Sequence, residues 1–316
     1  MIHMLPGPIQ GVFMGLLLVI NTLFWATFLY GAVLLKLLTP AKSAARDVLS
    51  RVAAKMAQNW ASTNSSASSF FQRIEWDLRF NVELSPKGQY LVCSNHQTWN
   101  DIFVLMRAFG RRAPFFKFFL KQQLIWVPVL GLAWWGLDYP FMRRSTNDQI
   151  KKNPALKGKD LETTRKACEK FRNQPVSILN FLEGTRFTQT KQINQKAPYK
   201  YLLRPKAGGF AFAMEAMGDK LQGLVDVTIV YPDGAVGFWD FLCGRMRRVI
   251  VDVRPLEVPE ELAAGLLKGE YEESNAFRKK FQLWIGEVWK QKDARIAEIR
   301  GLSPIAEPAP AADLNP

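Results

Sequence analysis

The amino-acid sequence predicts an α/β fold in which helices flank a central sheet, preceded by an N-terminal transmembrane helix. Two observations support this prediction. One long apolar run lies near the amino terminus, and short apolar runs of strand composition alternate with longer helical stretches after residue 70. The 316-residue chain is 48% hydrophobic and 22% charged, so it has enough apolar material for a core. Its three cysteines are widely spaced, which excludes a disulfide scaffold.

The first element is the apolar run of residues 11–35, which is longer than the roughly 20 residues that a helix needs to cross a bilayer. No basic residue precedes the run, so a cleaved signal peptide is disfavoured. Its length also makes it a poor match to a helix buried in a soluble core. By the positive-inside rule, an excess of cations after the run places the rest of the chain in the cytoplasm. These cations are Lys36, Lys42, Arg46, Arg51 and Lys55.

A second, amphipathic helix is predicted over residues 41–60, where apolar side chains recur at helical spacing and suit a membrane interface. The serine-rich stretch 62–69 interrupts this spacing and predicts a domain boundary. The predicted organisation is a membrane segment (1–61), an α/β domain (70–256), C-terminal helices (257–300) and a proline-rich disordered tail (301–316).

Five strands are predicted in the α/β domain, because each is a short apolar run of strand composition. They are residues 73–80, 89–94, 175–181, 223–231 and 248–253. Residues 259–300 are predicted to be helical, with four apolar side chains on one face: Phe277, Phe281, Trp284 and Val288.

Residues 102–137 contain no acid, five cations and nine Phe or Trp residues. Together with a net charge of +14, this composition indicates an anionic partner. A lipid surface is favoured over single-stranded nucleic acid, because a transmembrane helix precedes the segment. For about half of these aromatic residues, a place in the core is an equally good interpretation.

Chemistry that needs an imidazole falls on His96, because the only other histidine, His3, lies at the amino terminus. Two histidines also exclude a multi-histidine metal site. Asp101 follows His96 in the segment NHQTWND, at the end of a predicted strand. Five helical steps would separate the two side chains by about 140°, so they meet only if His96 lies in a loop and Asp101 in the first helical turns. The pair would then be a general base and its orienting carboxylate. From spacing alone, a helix cap beside an exposed acid is the commoner arrangement.

Three further segments carry cations near glycines or predicted strands: NFLEGTRF (180–187), RPKAGGF (204–210) and PFMRRSTN (140–147). In the first, a glycine permits close backbone approach, and Arg186 offers a guanidinium suited to bidentate phosphate binding. Taken alone, this segment is equally well interpreted as a salt-bridged turn. Cys93 lies in an apolar run three residues before His96, and is expected to pack within the strand rather than to act as a nucleophile.

The order of these segments, NHxxxxD, FxRR, FLEGTR and PKxGGF, resembles the glycerolipid acyltransferase superfamily over roughly residues 73–254. The resemblance implies an acyltransferase domain with a central mixed sheet, in which His96 is the general base and Asp101 its orienting acid. It also implies an acceptor-binding set made up of Arg143, Arg144, Glu183, Gly184, Thr185, Arg186 and Lys206. No cofactor or metal is implied, since acyl-CoA or acyl carrier protein serves as a co-substrate.

The resemblance implies a membrane-bound O-acyltransferase of phospholipid biosynthesis, which moves a fatty acyl chain to the sn-2 hydroxyl of 1-acylglycerol-3-phosphate. Its expected partners are membrane phospholipids, the lysophospholipid acceptor and the acyl donor, and not nucleic acid. The further C-terminal spans of animal members are missing, which indicates a bacterial inner-membrane protein with a single-pass anchor. A thioesterase and a non-catalytic membrane-surface protein are the competing classes.

One departure from the family pattern concerns the acceptor. Asp226 and Thr228 stand where the fourth family motif usually carries proline. In this respect the chain resembles the subgroup that includes lysocardiolipin acyltransferase. Lysophosphatidylglycerol and lysocardiolipin are therefore the alternative acceptors.

Overall fold

The computed structural model of the protein describes residues 5–40, 43–142, 168, 171 and 174–301. The strands in these residues are β1 (Glu75–Phe80), β2 (Gln89–Ser94), β3 (Phe116–Phe118), β4 (Leu120–Lys121), β5 (Phe141–Met142), β6 (Val176–Phe181), β7 (Gly223–Val230) and β8 (Arg248–Pro255). The α-helices are α1 (Gly7–Leu37), α2 (Ala44–Phe71), α3 (Asn100–Phe109), α4 (Leu130–Gly136), α5 (Gln189–Asn194), α6 (Gly208–Met217), α7 (Phe238–Leu242), α8 (Glu260–Leu267), α9 (Glu270–Glu273) and α10 (Asn275–Ile299). Short 3-10 helices cover Gln122–Trp126 and Gly218–Lys220.

The five predicted strands are confirmed as β1, β2, β6, β7 and β8. β2 has the predicted bounds, β1 begins later than predicted at Glu75, and β8 extends further, to Pro255. The sequence did not predict β3, β4 and β5, because strands of two or three residues are too short to show a period.

Six strands form one mixed sheet in the order β1-β8-β7-β2-β6-β3. Neighbouring strands are parallel, except for the antiparallel pair of β7 and β8. The predicted α/β class with a central mixed sheet is therefore confirmed. In the middle of the sheet, β7, β2 and β6 run side by side in one direction, so their carboxyl ends lie at the same edge. Side chains that follow these three strands are thus brought together.

The core lies on both faces of this sheet, because successive side chains of a strand point to opposite faces. In β2, Leu91 and Cys93 pack in one buried cluster, whereas Tyr90 and Val92 pack in the other. Helices α6 and α10 contribute to the first cluster, and α3 contributes to the second.

The C-terminal helices predicted after residue 257 are present as α8, α9 and α10. Phe277, Phe281 and Val288 of α10 are buried in the first core cluster, and Trp284 packs against it, as the predicted apolar face requires. Of the predicted tail, residues 302–316 lie outside the described residues.

Helices α1 and α2 pack as an antiparallel hairpin with polar contacts between them. Asn21 donates to Asn64 Oδ1 at 2.7 Å, and the Trp60 indole donates to Thr22 Oγ1 at 3.0 Å. The predicted break at residues 62–69 is wrong, since α2 continues through it to Phe71. Small Ser, Thr and Asn side chains allow the helices to approach and to bond, and these contacts outweigh the low helix propensity of the stretch.

Helix α1 is long and apolar enough to cross a membrane, and among the described residues no other helix is. Both of its ends contact the rest of the protein. Met14 packs in the second core cluster, and Lys36 pairs with Asp138 at 2.5 Å. Lys36 is 5% exposed, and Arg46 donates to the carbonyls of Lys36 and Thr39. Lys36 and Arg46, two of the cations that follow the apolar run, therefore make contacts within the protein.

The basic and aromatic segment between residues 102 and 137 divides between core and surface. Phe109 and Phe116 are buried in the second core cluster, whereas Trp126 is 85% exposed. Arg107 is engaged with α2, because its guanidinium donates to Ser65 Oγ at 2.7 Å. Only the exposed aromatic residues and the exposed cations of this segment are therefore available to form the predicted lipid-binding surface.

Candidate active site

The loop after β2 is held in place by its first residue, the buried Asn95. The Asn95 side chain accepts from the Ile229 N–H at 2.8 Å and donates to the Ile229 carbonyl at 2.9 Å. Gln97 donates to the same carbonyl at 3.0 Å. Because Ile229 belongs to β7, the neighbouring parallel strand fixes the residues on both sides of His96.

His96 and Asp101 meet in the one arrangement that their spacing allows, with His96 in the loop and Asp101 in the first turn of α3. His96 Nδ1 lies 2.7 Å from Asp101 Oδ2, and Asp101 is fully buried. The same oxygen accepts from the main-chain N–H groups of Gln97 at 2.6 Å and Thr98 at 3.0 Å. Asp101 is thus both the cap of the loop and the partner of the imidazole. With Nδ1–H donating to the carboxylate, Nε2 carries the lone pair that can accept a proton.

The imidazole of His96 is also fixed from its face. The Phe181 ring, at the carboxyl end of β6, stacks on it with centroids 4.0 Å apart and planes 16° apart. The His96 side chain remains 14% exposed, so it is accessible to a substrate at this edge of the sheet.

The turn after β6 contains Glu183 and Gly184, which the sequence placed in the acceptor site. Gly184 has φ +67°, a conformation that favours glycine. The carboxylate of the buried Glu183 accepts from the N–H of His96 at 2.8 Å and from the N–H of Leu203 at 2.9 Å. Burial raises the pKa of Glu183 to about 7, although the two N–H donors oppose this shift. Glu183 therefore holds the His96 loop through its fully buried carboxylate, and its part in acceptor binding stays a prediction.

Arg186 projects from the same turn and is exposed. Its guanidinium lies over the exposed Trp99 ring, 4.7 Å from the centroid. Lys191 Nζ donates to Thr185 Oγ1 at 2.8 Å and to the Arg186 carbonyl at 3.0 Å. These contacts place two positive charges beside the entrance to His96. The salt bridge between Glu183 and Arg186 that the sequence left open is not formed between these two described residues, since Glu183 bonds to the main chain.

The remaining predicted acceptor-binding residues are less constrained. Lys206 lies beside the turn, with its N–H donating to the Leu182 carbonyl at 2.7 Å and its side chain exposed. Arg143 and Arg144 lie outside the described residues. In the part of the chain that the structure covers, no group of three or more His, Cys, Asp or Glu side chains is arranged to hold a metal ion.

The departure at Asp226 and Thr228 has a structural explanation. Lys292 of α10 reaches under the sheet, where its Nζ pairs with Asp226 Oδ1 at 2.6 Å and donates to the Val227 carbonyl at 2.6 Å. Thr228 Oγ1 lies 3.4 Å from the same amine. The Cys93 thiol donates to Asp226 Oδ1 at 3.1 Å, and burial raises its pKa well above the ordinary value. Cys93 is therefore a buried packing residue, as expected.

An almost entirely apolar cavity of about 150 Å³ lies beside the site, between α1, α2, α3 and α4. Trp99 is part of the cavity wall, and its ring also contacts the Arg186 guanidinium. The Trp99 indole therefore lies between the cavity and the turn that carries Arg186. Other residues of the wall are Trp25, Leu29, Trp60, Met106 and Phe115.

Sequence reasoning did not find five residues of this site: Trp99, Phe181, Lys191, Tyr231 and Lys292. Tyr231 donates its hydroxyl to Asp101 Oδ1 at 2.6 Å. Phe181 and Tyr231 end two predicted strands, so a sequence signal existed. What was missing was the knowledge that these strands pair in parallel on either side of β2.

Residues 78–232 match the family model named Acyltransferase. The match contains the loop of His96 and the turn of Glu183. The residues from Asn95 to Tyr231 that form the hydrogen-bonded site therefore lie within the matched segment, whereas Lys292 lies beyond it.

Among relatives, the chain is 28% identical over 192 residues to mouse 1-acyl-sn-glycerol-3-phosphate acyltransferase gamma, covering 56% of this chain and 46% of that protein. It is 23% identical over 223 residues to chicken lysocardiolipin acyltransferase 1, covering 67% and 54%. The chain thus spans about half the length of these curated relatives. Among solved structures, the LPA acyltransferase PlsC from Thermotoga maritima is similar, with a TM-score of 0.46, 17% identity, and coverage of 82% of this chain and 95% of that one.

Proposed function

We propose that this protein is an O-acyltransferase that moves a fatty acyl chain from a thioester donor to the sn-2 hydroxyl of 1-acylglycerol-3-phosphate, which yields phosphatidic acid. The observation that carries the proposal is the buried His96–Asp101 pair, with Nε2 free to accept a proton beside the exposed cation Arg186. The match of residues 78–232 to the Acyltransferase family model supports the same reaction class. The donor is acyl-CoA or acyl carrier protein, acting as a co-substrate.

In this mechanism His96 Nε2 takes the proton of the acceptor hydroxyl as its oxygen attacks the thioester carbonyl. The tetrahedral intermediate then expels the thiolate, and the imidazolium returns the proton to sulfur. Asp101 holds the imidazole in the required tautomer and stabilises the imidazolium. A positioned base of this kind contributes about 10²–10⁴-fold to the rate.

The phosphate of the acceptor is proposed to bind at Arg186, with Lys191 and Lys206 adding positive charge near it. A guanidinium already stacked on Trp99 loses less freedom when it binds a phosphate, and its two N–H groups can donate in parallel. The apolar cavity behind Trp99 suits an acyl chain, because its wall offers almost no polar partner. Arg143 and Arg144 stay predicted members of the phosphate site.

The test is to incubate purified protein with oleoyl-CoA, with and without 1-acylglycerol-3-phosphate, and to follow free thiol. Thiol release that depends on the acceptor, together with formation of phosphatidic acid, supports the transferase. Equal release without the acceptor would instead identify a thioesterase. Absence of release with both acyl-CoA and acyl carrier protein donors would leave a non-catalytic membrane-surface protein.

A different lysophospholipid acceptor is the second candidate, and a specific observation favours it. Asp226 and Thr228 depart from the usual fourth motif, and the chain resembles a lysocardiolipin acyltransferase. A panel of lysophosphatidic acid, lysophosphatidylglycerol and lysocardiolipin, each at equal concentration, ranks the acceptors by kcat/KM. A preference of more than tenfold for either of the last two would replace phosphatidic acid as the proposed product.

We propose that the protein is bound to the cytoplasmic face of a bacterial inner membrane, with α1 as its anchor. The side of α1 that faces away from the protein is apolar and exposed at Leu16, Ile20, Phe24 and Phe28. Replacing Phe24 and Phe28 with serine should weaken flotation with anionic lipid vesicles, whereas Leu283→Ser, at an exposed site on α10, should not. Unchanged flotation of the α1 variant would contradict this anchor.

A further inference from the structure

Tyr231 is the first residue after β7, and it is completely buried. Its hydroxyl donates to Asp101 Oδ1 at 2.6 Å. Asp101 Oδ2 accepts from the imidazole and from two main-chain N–H groups. The two oxygens of this carboxylate therefore have different hydrogen-bond donors. Tyr231 satisfies the oxygen that does not face His96.

The main chain of Tyr231 is itself held in place by hydrogen bonds. Its carbonyl accepts from Arg300 Nη2 at 3.1 Å and from the Gly234 N–H at 3.0 Å. Two residues earlier, Ile229 holds Asn95 through both its N–H and its carbonyl. One strand therefore supports the catalytic loop at Asn95 and the catalytic carboxylate at Asp101.

The phenol stays protonated across the working range of pH. Burial raises the pKa of Tyr231 well above its ordinary value, and the adjacent Asp101 charge raises it further. It is therefore a permanent hydrogen-bond donor to Asp101. A carboxylate that accepts a hydrogen bond at each oxygen cannot rotate away from the imidazole without breaking one of them.

We propose that Tyr231 is a positioning residue that extends the catalytic pair to a chain of His96, Asp101 and Tyr231. Through Asp101 it keeps the carboxylate in the orientation that receives Nδ1–H and that stabilises the imidazolium formed during transfer. This inference rests on the proposed function, because it concerns the base of the same reaction. Tyr231 is completely buried, so it acts through Asp101 and not directly on a substrate.

The experiment compares Tyr231→Phe with Tyr90→Phe in the full chain. Tyr90 is also a buried tyrosine whose hydroxyl is hydrogen-bonded, in its case to the Ser85 N–H at 2.8 Å, and it lies outside the site. Loss of a hydrogen bond to a charged group predicts that Tyr231→Phe lowers kcat about tenfold. KM for donor and acceptor should stay within about twofold of wild type, and Tyr90→Phe should leave kcat unchanged.

A double-mutant cycle separates positioning from simple packing. If Tyr231 acts through Asp101, adding Tyr231→Phe to Asp101→Asn should lower kcat by less than about twofold further. The proposal is wrong if the kcat loss of the double variant equals the product of the two single losses. It is also wrong if Tyr231→Phe keeps the wild-type kcat.

A measurement independent of turnover uses the fact that the chain has two histidines. In a His3→Gln background, the Nδ1 proton of His96 gives one assignable downfield NMR signal. We expect this signal to move upfield or broaden in Tyr231→Phe and to stay unchanged in Tyr90→Phe. A wild-type protein with no acyl transfer would refute the proposed function, whereas an unperturbed signal in Tyr231→Phe would refute only the role of Tyr231.

Discussion

The two halves of the site are built in opposite ways. At the His96 end, the Asp101 carboxylate is fully buried and hydrogen-bonded at both oxygens, and the imidazole is stacked on Phe181. At the Arg186 end, the guanidinium is exposed and rests on an exposed indole. Proton transfer needs groups fixed before the substrate arrives, whereas recognition of a headgroup tolerates a side chain that settles on binding.

The position of each half in the sheet explains this difference. The His96 loop leaves the central strand β2 and is held on one side by β7 through Asn95 and on the other by Glu183 after β6. Arg186 follows the turn after β6 and is exposed, with Trp99 as the ring under its guanidinium. Substitutions at the two ends should therefore have different kinetic signatures.

The largest effect is expected for His96→Ala, which removes the base and should lower kcat by about 10²–10⁴-fold. The second histidine, His3, is distant in sequence and outside the described residues, so His3→Ala serves as the control and should keep wild-type activity. Transfer assays and melting temperatures check both variants. A His96→Ala enzyme that is folded and retains a tenth of wild-type kcat would show that another group accepts the proton.

Arg186→Lys should have an intermediate effect, because lysine keeps the charge but loses the parallel pair of N–H donors and the stacking on Trp99. The loss of about 1.5–3 kcal/mol corresponds to about 10–150-fold in kcat/KM for the phosphorylated acceptor. The donor KM and the melting temperature should change little. Arg245→Lys, at an exposed arginine paired with Asp240 on α7, is the matched control. A lower melting temperature with an unchanged acceptor KM would assign Arg186 to the structure of the turn.

Glu183→Gln should have the smallest effect on activity at neutral pH, and the effect should depend on pH. When ionised, Glu183 accepts from both N–H groups; when protonated, or replaced by Gln, it offers one good acceptor. The ratio of wild-type to variant kcat should therefore rise between pH 6 and pH 8, through the pKa of about 7. The exposed Glu257→Gln control should show no such trend. A constant ratio would show that the charge of Glu183 is irrelevant to the loop.

Stability should change with pH in the opposite sense to kcat. The stability of the wild type relative to Glu183→Gln should fall as pH rises, whereas its relative kcat should rise. The pKa of Glu183 is raised in the folded state, by burial first and also by the Asp101 charge, so the folded state binds this proton more tightly than the unfolded state does. Wild type should then lose stability relative to Glu183→Gln as pH rises from about 4.5 to 7, by at most about 3 kcal/mol. Urea unfolding at pH 5 and pH 8 measures the difference. A parallel pH dependence of both proteins would contradict the raised pKa.

The sequence predicted much of the fold and the centre of the site. It did not predict the features that depend on contacts between residues far apart in the chain. The strands follow from local patterns, because strand period is a local property. The pair of His96 and Asp101 was predicted from the resemblance in motif order, since spacing alone favoured a helix cap beside an exposed acid. The role of Glu183 depends on Leu203 and on the His96 main chain, which no spacing reveals. The stretch 62–69 has a loop-like composition, yet it is helical because α1 offers it partners such as Asn21.

The ion pair between the buried Lys292 and Asp226 also has a consequence for the order in which the protein is completed. Synthesis proceeds from the amino terminus at about 5–20 residues per second, so Lys292 emerges roughly ten seconds or more after α2. Until α10 docks, the Asp226 carboxylate beneath β2 and β7 has no Lys292 amine to neutralise it. The sheet that carries the His96 loop therefore receives this support only after all of its strands have been synthesised.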